Sequence, residues 1–240
     1  MIPENIKCII DFTLGDGYIS YIETGKRQAR LKIDHSIKQR EYLWHKIEVL
    51  NSYGFYGHES IQTRVIKGKE YQTVSYVTKV YPEITTAHKW MYNSGRKAID
   101  NALIRQLDAK SLAYWFMDDG SGPKTYRSSS IVNGKRYTYK YSEPKIERYT
   151  LATYNCTRDE LQLIQNWLFQ KYNIITHVKL DKRAKTCLGA FLSIDNIDNK
   201  DIFRSIIQPY IIPSMKYKIE GAHTFKGIHY SQVETERENS

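Results

Sequence analysis

The sequence predicts an α+β fold in which two copies of one αββαββα unit follow each other in a single chain, and three spacings carry that reading. An apolar helical stretch that ends in a carboxylate and a glycine occurs twice, so that Asp16-Gly17 and Asp119-Gly120 lie 103 positions apart. Two helix-start signals, Ser36 and Thr157, lie 121 positions apart, as do Lys97 and Lys218. The excess of 18 residues is about the length of one additional hairpin between the second acid and the second cap, so a single insertion reconciles all three. The expected boundaries are 1–105 for the first unit and 106–221 for the second, with an inserted hairpin at about 126–141 and a polar tail over 222–240.

The first unit opens with a helix that puts Ile6, Ile9, Ile10, Thr13 and Leu14 on one face, the i, i+3, i+4, i+7, i+8 spacing of a buried stripe. Strands are expected over 18–23 and 28–34 around a turn at Thr24-Gly25-Lys26-Arg27, and in the second of them Leu31 and Ile33 alternate with Arg30 and Lys32. Ser36 and Gln39 have capping-box spacing for a helix with Tyr42, Leu43, Ile47 and Leu50 on its face, which stops before Gly54. A hairpin over 60–66 and 71–80 turns at Lys67-Gly68-Lys69. A helix from Pro82 to about Asn93 and the stretch Ser94-Gly95-Arg96-Lys97 complete the unit.

The second unit repeats that order. Ala109, Leu112, Ala113, Phe116 and Met117 form the matching helical face, and Asn133-Gly134 is a two-residue hairpin signal within the insertion. A strand over 148–154 precedes the capping box of Thr157 and Glu160, whose helix carries Leu161, Ile164 and Leu168. Strands over 175–180 and 188–194, a helix over 199–208 and the stretch from Pro209 to Pro213 end the copy.

Each acidic helix meets a glycine, which can take the left-handed conformation that closes a helix, so Asp16 and Asp119 fall on the last turns. A carboxylate at the negative end of a helix dipole is unfavourable alone and favourable beside a cation. Like units in one chain pack about a twofold axis, which buries the two apolar helices against each other and brings the two acids together. Divalent cations would relieve the resulting repulsion. Asp11 and Asp118 lack an acidic counterpart in the other copy and read as orienting or surface groups, and Tyr114 and Trp115 read as packing residues.

The net charge of +10, with twenty tyrosines among 36 lysines and arginines, points to nucleic acid. No apolar stretch is long enough to anchor in a membrane. Three cysteines without paired spacing argue against disulfides and zinc and fit an intracellular protein with reduced thiols, and the seven histidines form no metal motif. The first residues are too polar for a signal peptide.

Residues 9–17 and 112–120 resemble the nine-residue motif of the LAGLIDADG homing endonucleases. Together with Ile211-Ile212-Pro213-Ser214-Met215-Lys216-Tyr217-Lys218, they are similar to the single-chain, two-motif, intron-encoded branch over roughly residues 6–221. The motif's third position, usually glycine, is Asp11 in one copy and Tyr114 in the other, and its seventh, usually small, is Gly15 and Asp118. The resemblance implies paired motif helices at a pseudo-twofold interface and two saddle-shaped antiparallel sheets that lie along DNA. It implies that Asp16 and Asp119, at the eighth position, are catalytic acids that hold Mg2+, with Mn2+ able to substitute. The preceding residues, Gly15 and Asp118, complete the metal set, and Lys97 and Lys218 stand near the scissile groups.

The implied activity is metal-dependent hydrolysis of both strands of a long, asymmetric double-stranded DNA site by a monomer, leaving short 3′ overhangs. Strand parity then gives Arg30, Lys32, Arg64, Gln72, Arg148, Thr150 and Lys179 as DNA-facing residues. The hairpin turns add Lys26, Arg27, Lys67, Lys69, Lys135, Arg136, Lys182, Arg183 and Lys185, of the kind that contact phosphates. The alternatives are a maturase that binds the host intron RNA, alone or combined with the nuclease, and a catalytically silent DNA-binding regulator. The expected location is intracellular, in a bacterial or phage-infected cytoplasm or an organelle matrix.

Overall fold

In the computed structural model, which describes residues 2–22, 28–132, 135–181 and 189–221 (the backbone alone for 125–142 and 144), the chain traces the same path twice. The first unit comprises α1 (Glu4–Leu14), β1 (Gly17–Tyr21), β2 (Ala29–Ser36), α2 (Arg40–Ser52), β3 (Gly57–Ile66), β4 (Lys69–Thr78) and α3 (Pro82–Met91). Two short strands, β5 (Tyr92–Asn93) and β6 (Arg96–Lys97), and the single turn α4 (Asn101–Ile104) lead to the second unit. That unit comprises α5 (Ala109–Asp119), β7 (Gly120–Ser121), the inserted pair β8 (Lys124–Val132) and β9 (Lys135–Ile146), β10 (Tyr149–Ala152), α6 (Arg158–Tyr172), β11 (His177–Leu180), β12 (Ala190–Ile194) and α7 (Ile197–Ile207). A 3-10 turn at Pro213–Lys218 follows.

The sheets are antiparallel and of one topology, β1-β2-β4-β3 and β7-β10-β12-β11, while β8 and β9 pair only with each other. One apolar core runs through both units. Alternation in β2 buries Leu31 and Ile33, and the helical stripes bury Ile9, Ile10 and Phe12 of α1 and Leu112, Ala113, Phe116 and Met117 of α5. Phe12 and Tyr114 meet edge to face at 4.9 Å between ring centres, which locks α1 to α5.

Four local expectations change. Gly17 and Gly120 are not left-handed; Gly120 has φ −89°, and glycine is needed there for space, since a Cβ at Gly17 would strike Phe12 O and one at Gly120 the Phe116 ring. Ser36 caps a 3-10 turn at Ile37–Gln39 by accepting from Lys38 N, and α2 starts only at Arg40; the Gln39 side chain faces Tyr217 of the second unit and does not close the box. At Thr157 the box closes, with Glu160 accepting from Thr157 N at 2.7 Å. Helix α3 stops at Met91 because Tyr92 and Asn93 pair with Lys97 and Arg96 around Ser94 (φ 50°) and Gly95 (φ 82°), while β8 and β9 extend the insertion to Lys124–Ile146.

Candidate active site

The C-terminal ends of α1 and α5 converge at the seventh and eighth motif positions. Asp119 is the last residue of α5, and Asp16 lies two residues beyond α1. A Cβ on Gly15 would collide with the side chain of Asp118, so with aspartate at one seventh position the other must lack a side chain. The Asp16 N–H donates to Asp118 Oδ2 at 3.1 Å, and Lys46 Nζ of α2 donates to Asp118 Oδ1 at 2.6 Å. The Lys46 and Asp118 side chains are both 0% exposed. Lys46 Nζ also lies 3.2 Å from His35 Nε2, and His35 Nδ1 lies 3.2 Å from Asp16 Oδ2.

Neither of the acids without counterparts is a surface group. Asp11 is 2% exposed and pairs with Lys7 at 3.0 Å, and Lys7 also reaches Ser111 at 2.9 Å and Asp108 at 3.1 Å on the neighbouring helix. Both oxygens of the Asp118 carboxylate accept hydrogen bonds, one from Lys46 and one from the Asp16 N–H. Ligand atoms of Asp16, His35 and Asp118 fall within 4.8 Å of one another, yet the Lys46 ammonium already supplies the positive charge between His35 and Asp118. The seventh positions also present main-chain oxygen. Lys97 Nζ donates to Gly15 O at 2.5 Å, and Lys218 Nζ donates to Met117 O at 2.5 Å and Asp118 O at 3.2 Å. Each lysine thus sits on the motif carbonyl of its own unit.

The pKa values of the two eighth-position acids are shifted in opposite directions. Burial pushes the Asp119 carboxyl up to about 7, and Asp16 and Asp118 push the same way against Lys97 and Lys218. At Asp16 burial also raises the pKa, but His35, Lys46 and Lys218 outweigh it and hold it below the usual value. Burial lowers both lysines against the pull of the three carboxylates. Carboxylate and carbonyl oxygens crowded at two helix C-termini are the hard donor set that a small divalent cation takes. Beside Asp119 opens a cavity of about 200 Å3 lined by Gly15, Lys97, Trp115, Asn155 and Cys156. A groove of about 500 Å3 continues over Ser121, Arg148 and Thr150.

The family model of the LAGLIDADG DNA endonucleases matches residues 7–197. The chain belongs to this family. It is 24% identical over 216 residues to the probable intron-encoded endonuclease 1 of Wickerhamomyces canadensis, covering 88% of this chain and 81% of that one. It is 26% identical over 219 residues to the cytochrome b mRNA maturase bI2 of Debaryomyces hansenii, covering 90% and 73%. The fold matches that of the homing endonuclease I-WcaI bound to its DNA recognition sequence, with a TM-score of 0.71 and 23% identity over 92% of this chain and 88% of that one.

In this LAGLIDADG chain the register sorts the expected DNA-facing residues. Lys32 lies opposite Tyr18 and Arg30 opposite Ser20, and pairing through β4 puts Arg64 on that same outer face. Gln72 stands on the other face, in line with buried Val74, because it lies opposite Thr63 and not Arg64. Lys32 is tied to Asp34 at 2.8 Å, and Lys67 and Lys69 sit at the exposed hairpin end, where Lys67 and Gly68 both have positive φ. In the second sheet Thr150 and Lys179 share the outer face with Ser121; Thr150 bonds Ser121 at 2.6 Å, and Lys179 pairs with Asp195 at 2.7 Å. Arg148, just before β10, pairs with Glu147 at 2.6 Å. Lys135 and Arg136 begin β9, opposite Val132 and Ile131. Lys26, Arg27, Lys182, Arg183 and Lys185 lie outside the described residues.

Two residues of the LAGLIDADG site escaped the sequence reading, His35 and Lys46. Both left a signal: His35 continues the buried alternation of Leu31 and Ile33, and Lys46 stands on the apolar stripe of Tyr42, Leu43 and Leu50. A polar residue on a buried face needs a partner, and here the partners are each other and the two aspartates.

Proposed function

We propose that the chain is a monomeric homing endonuclease that makes a double-strand break with short 3′ overhangs in a long, asymmetric DNA site by Mg2+-dependent hydrolysis, with Mn2+ able to substitute. The observation that carries this reading is the convergence of Asp16 and Asp119 at two helix ends, each beside a lysine seated on the preceding carbonyl of its own unit. Asp16, Asp119 and the main-chain oxygens of Gly15 and Asp118 would hold the cations. When bound, these cations lower the pKa of an attacking water and stabilise the leaving 3′-oxygen. Lys97 and Lys218 offset charge that builds on the phosphate in the transition state. Arg30, Lys32 and Arg64 on one sheet, and Arg148, Thr150 and Lys179 on the other, supply contacts to base edges and phosphates on either side.

Asp16→Asn and Asp119→Asn are each expected to slow linearisation of a plasmid bearing the site by about a thousandfold or more, while the dissociation constant for the site stays within about threefold. Undiminished cleavage by both variants would sink the proposal. The site itself is obtained by selecting cleaved sequences from a randomised DNA pool. A second reading, a maturase that assists splicing of its host intron RNA, draws support from the match to the D. hansenii maturase across 90% of the chain. Splicing of the host intron in vitro, with and without the protein, separates the two.

A further inference from the structure

We propose that His35 and Lys46 are positioning residues for Asp16, a device that only the first repeat possesses. The proposal rests on the endonuclease reading above for its consequence, and on geometry for its premise. Asp16, His35, Lys46 and Asp118 form a ring of close polar contacts: Asp16 Oδ2 to His35 Nδ1 at 3.2 Å, His35 Nε2 to Lys46 Nζ at 3.2 Å, Lys46 Nζ to Asp118 Oδ1 at 2.6 Å, and Asp118 Oδ2 back to the Asp16 N–H at 3.1 Å.

The ring has a direction. An ammonium group only donates, so Lys46 draws the lone pair of His35 Nε2 and leaves the imidazole proton on Nδ1. That Nδ1 is buried and has no hydrogen-bond partner in the structure, and Asp16 Oδ2 lies 3.2 Å from it. The Asp16 side chain is 37% exposed, so a small turn completes the bond. Asp118 meanwhile holds the main chain of the same residue. Tyr42 fixes the other two members, with Lys46 Nζ 4.3 Å above its ring and the His35 ring 5.0 Å away. Asp16 is therefore held through its main chain, and its carboxylate has a buried donor facing it.

The second repeat has nothing equivalent. Strand register pairs Gly17 with Ile33 and Gly120 with Leu151, and α2 and α6 bury residues at matching spacing, so the counterparts of His35 and Lys46 are Thr153, whose hydroxyl donates to Ala190 O, and Ile164; opposite Asp119 stands Gly15 in place of an acid. Among the described residues the Asp119 carboxylate makes no hydrogen bond or ion pair, and it borders the cavity. One acid is held in place by protein, whereas the other is left to be ordered by what it binds. Damage to the ring should accordingly slow one strand's hydrolysis and spare the other's.

The test uses the full chain and a duplex of its site with each strand end-labelled. His35→Phe keeps the packing on Tyr42 and the Lys46–Asp118 pair but removes the donor. It is expected to slow one strand by about tenfold to a hundredfold, to leave the other within about threefold, and to make nicked plasmid accumulate. His35→Asn, whose amide can donate from the place of Nδ1, is expected to restore the slowed strand. Lys46→Met/Asp118→Asn, which removes the buried charge without stranding its partner, should slow the same strand as His35→Phe. Parallel slowing of both strands, or an Asn variant as impaired as the Phe variant, would overturn the proposal. Nitrogen-15 NMR of His35 reads the premise directly: the Nδ1-protonated tautomer in the unaltered protein, and loss of that preference in Lys46→Met/Asp118→Asn. If the unaltered protein cuts neither strand, the endonuclease reading fails, while the tautomer still decides whether the ring exists.

Discussion

The two repeats share strand order, helix order and an Asp-Gly pair at the end of the motif helix, and they differ in what surrounds the acid. In the first, Asp16 meets a buried histidine, and a buried lysine lies one step further on. In the second, Asp119 meets a cavity bordered by Cys156 and Trp115. The seventh motif position explains how both can exist in one interface. Gly15 clears the space that the Asp118 side chain fills, and Asp118 then needs the cation that Lys46 provides. Pseudosymmetry constrains the backbone and the apolar faces, because these carry the packing. It leaves the polar groups at the axis free to diverge as long as each set is satisfied within itself.

Substitutions at Lys46, Asp118, Gly15 and the two acids would break or sharpen this contrast. Lys46→Met alone strands the Asp118 carboxylate in the core and is expected to cost about 3–5 kcal/mol in urea denaturation, most of it recovered when Asp118→Asn is added. Failure of the second change to rescue the first would mean that Lys46 acts through packing and not through charge. Gly15→Ala forces a methyl group into Asp118 and is expected to cost about 1–3 kcal/mol, and a double-mutant cycle with Asp118→Gly should show strong coupling between the two positions. Additive effects would show that the seventh positions are not a complementary pair.

The smallest effect has opposite signs at the two acids and is read in chelator. Asp119 titrates near about 7 against an ordinary 3.8, so its ionisation costs stability; that cost is absent well below pH 4 and complete above about pH 7. Asp119→Asn should therefore raise stability at about pH 8 by about 1–3 kcal/mol and leave it nearly unchanged at about pH 4. The Asp16 pKa is lowered, so its charge contributes stability that is present above the ordinary 3.8 and lost as pH falls through the folded value. Asp16→Asn should lower stability at neutral pH, and an equal sign for the two variants would refute the inequality of the sites.

Much of this molecule was legible before any coordinate. The stripe Ile6, Ile9, Ile10, Thr13, Leu14 and its copy in α5 are local patterns with the helical period, and a helix with such a stripe must bury it. Repetition at fixed spacing located Lys97 and Lys218, and both stand on the carbonyls beside the acids. Other features were misread for reasons of space. Asp118 looked peripheral because it has no acidic counterpart in the other copy; the cation that it pairs with lies 72 residues away on α2. Gly17 and Gly120 looked like left-handed caps, whereas they are clearances for Phe12 O and for the Phe116 ring. Gln72 passed as outward-facing on strand parity alone, and pairing across to Thr63 places it on the opposite side.

By itself, then, the sequence determined the two repeated units, their helix and strand order and the pair of acids that end the motif helices, because periodicity, caps and spacing are properties of neighbouring residues. Tertiary structure alone decided which acid would have a protein partner. Side chains from β2, α2 and α5 meet in the ring around Asp16, and only the approach of the two units, limited by the missing side chain of Gly15, brings them within hydrogen-bonding distance.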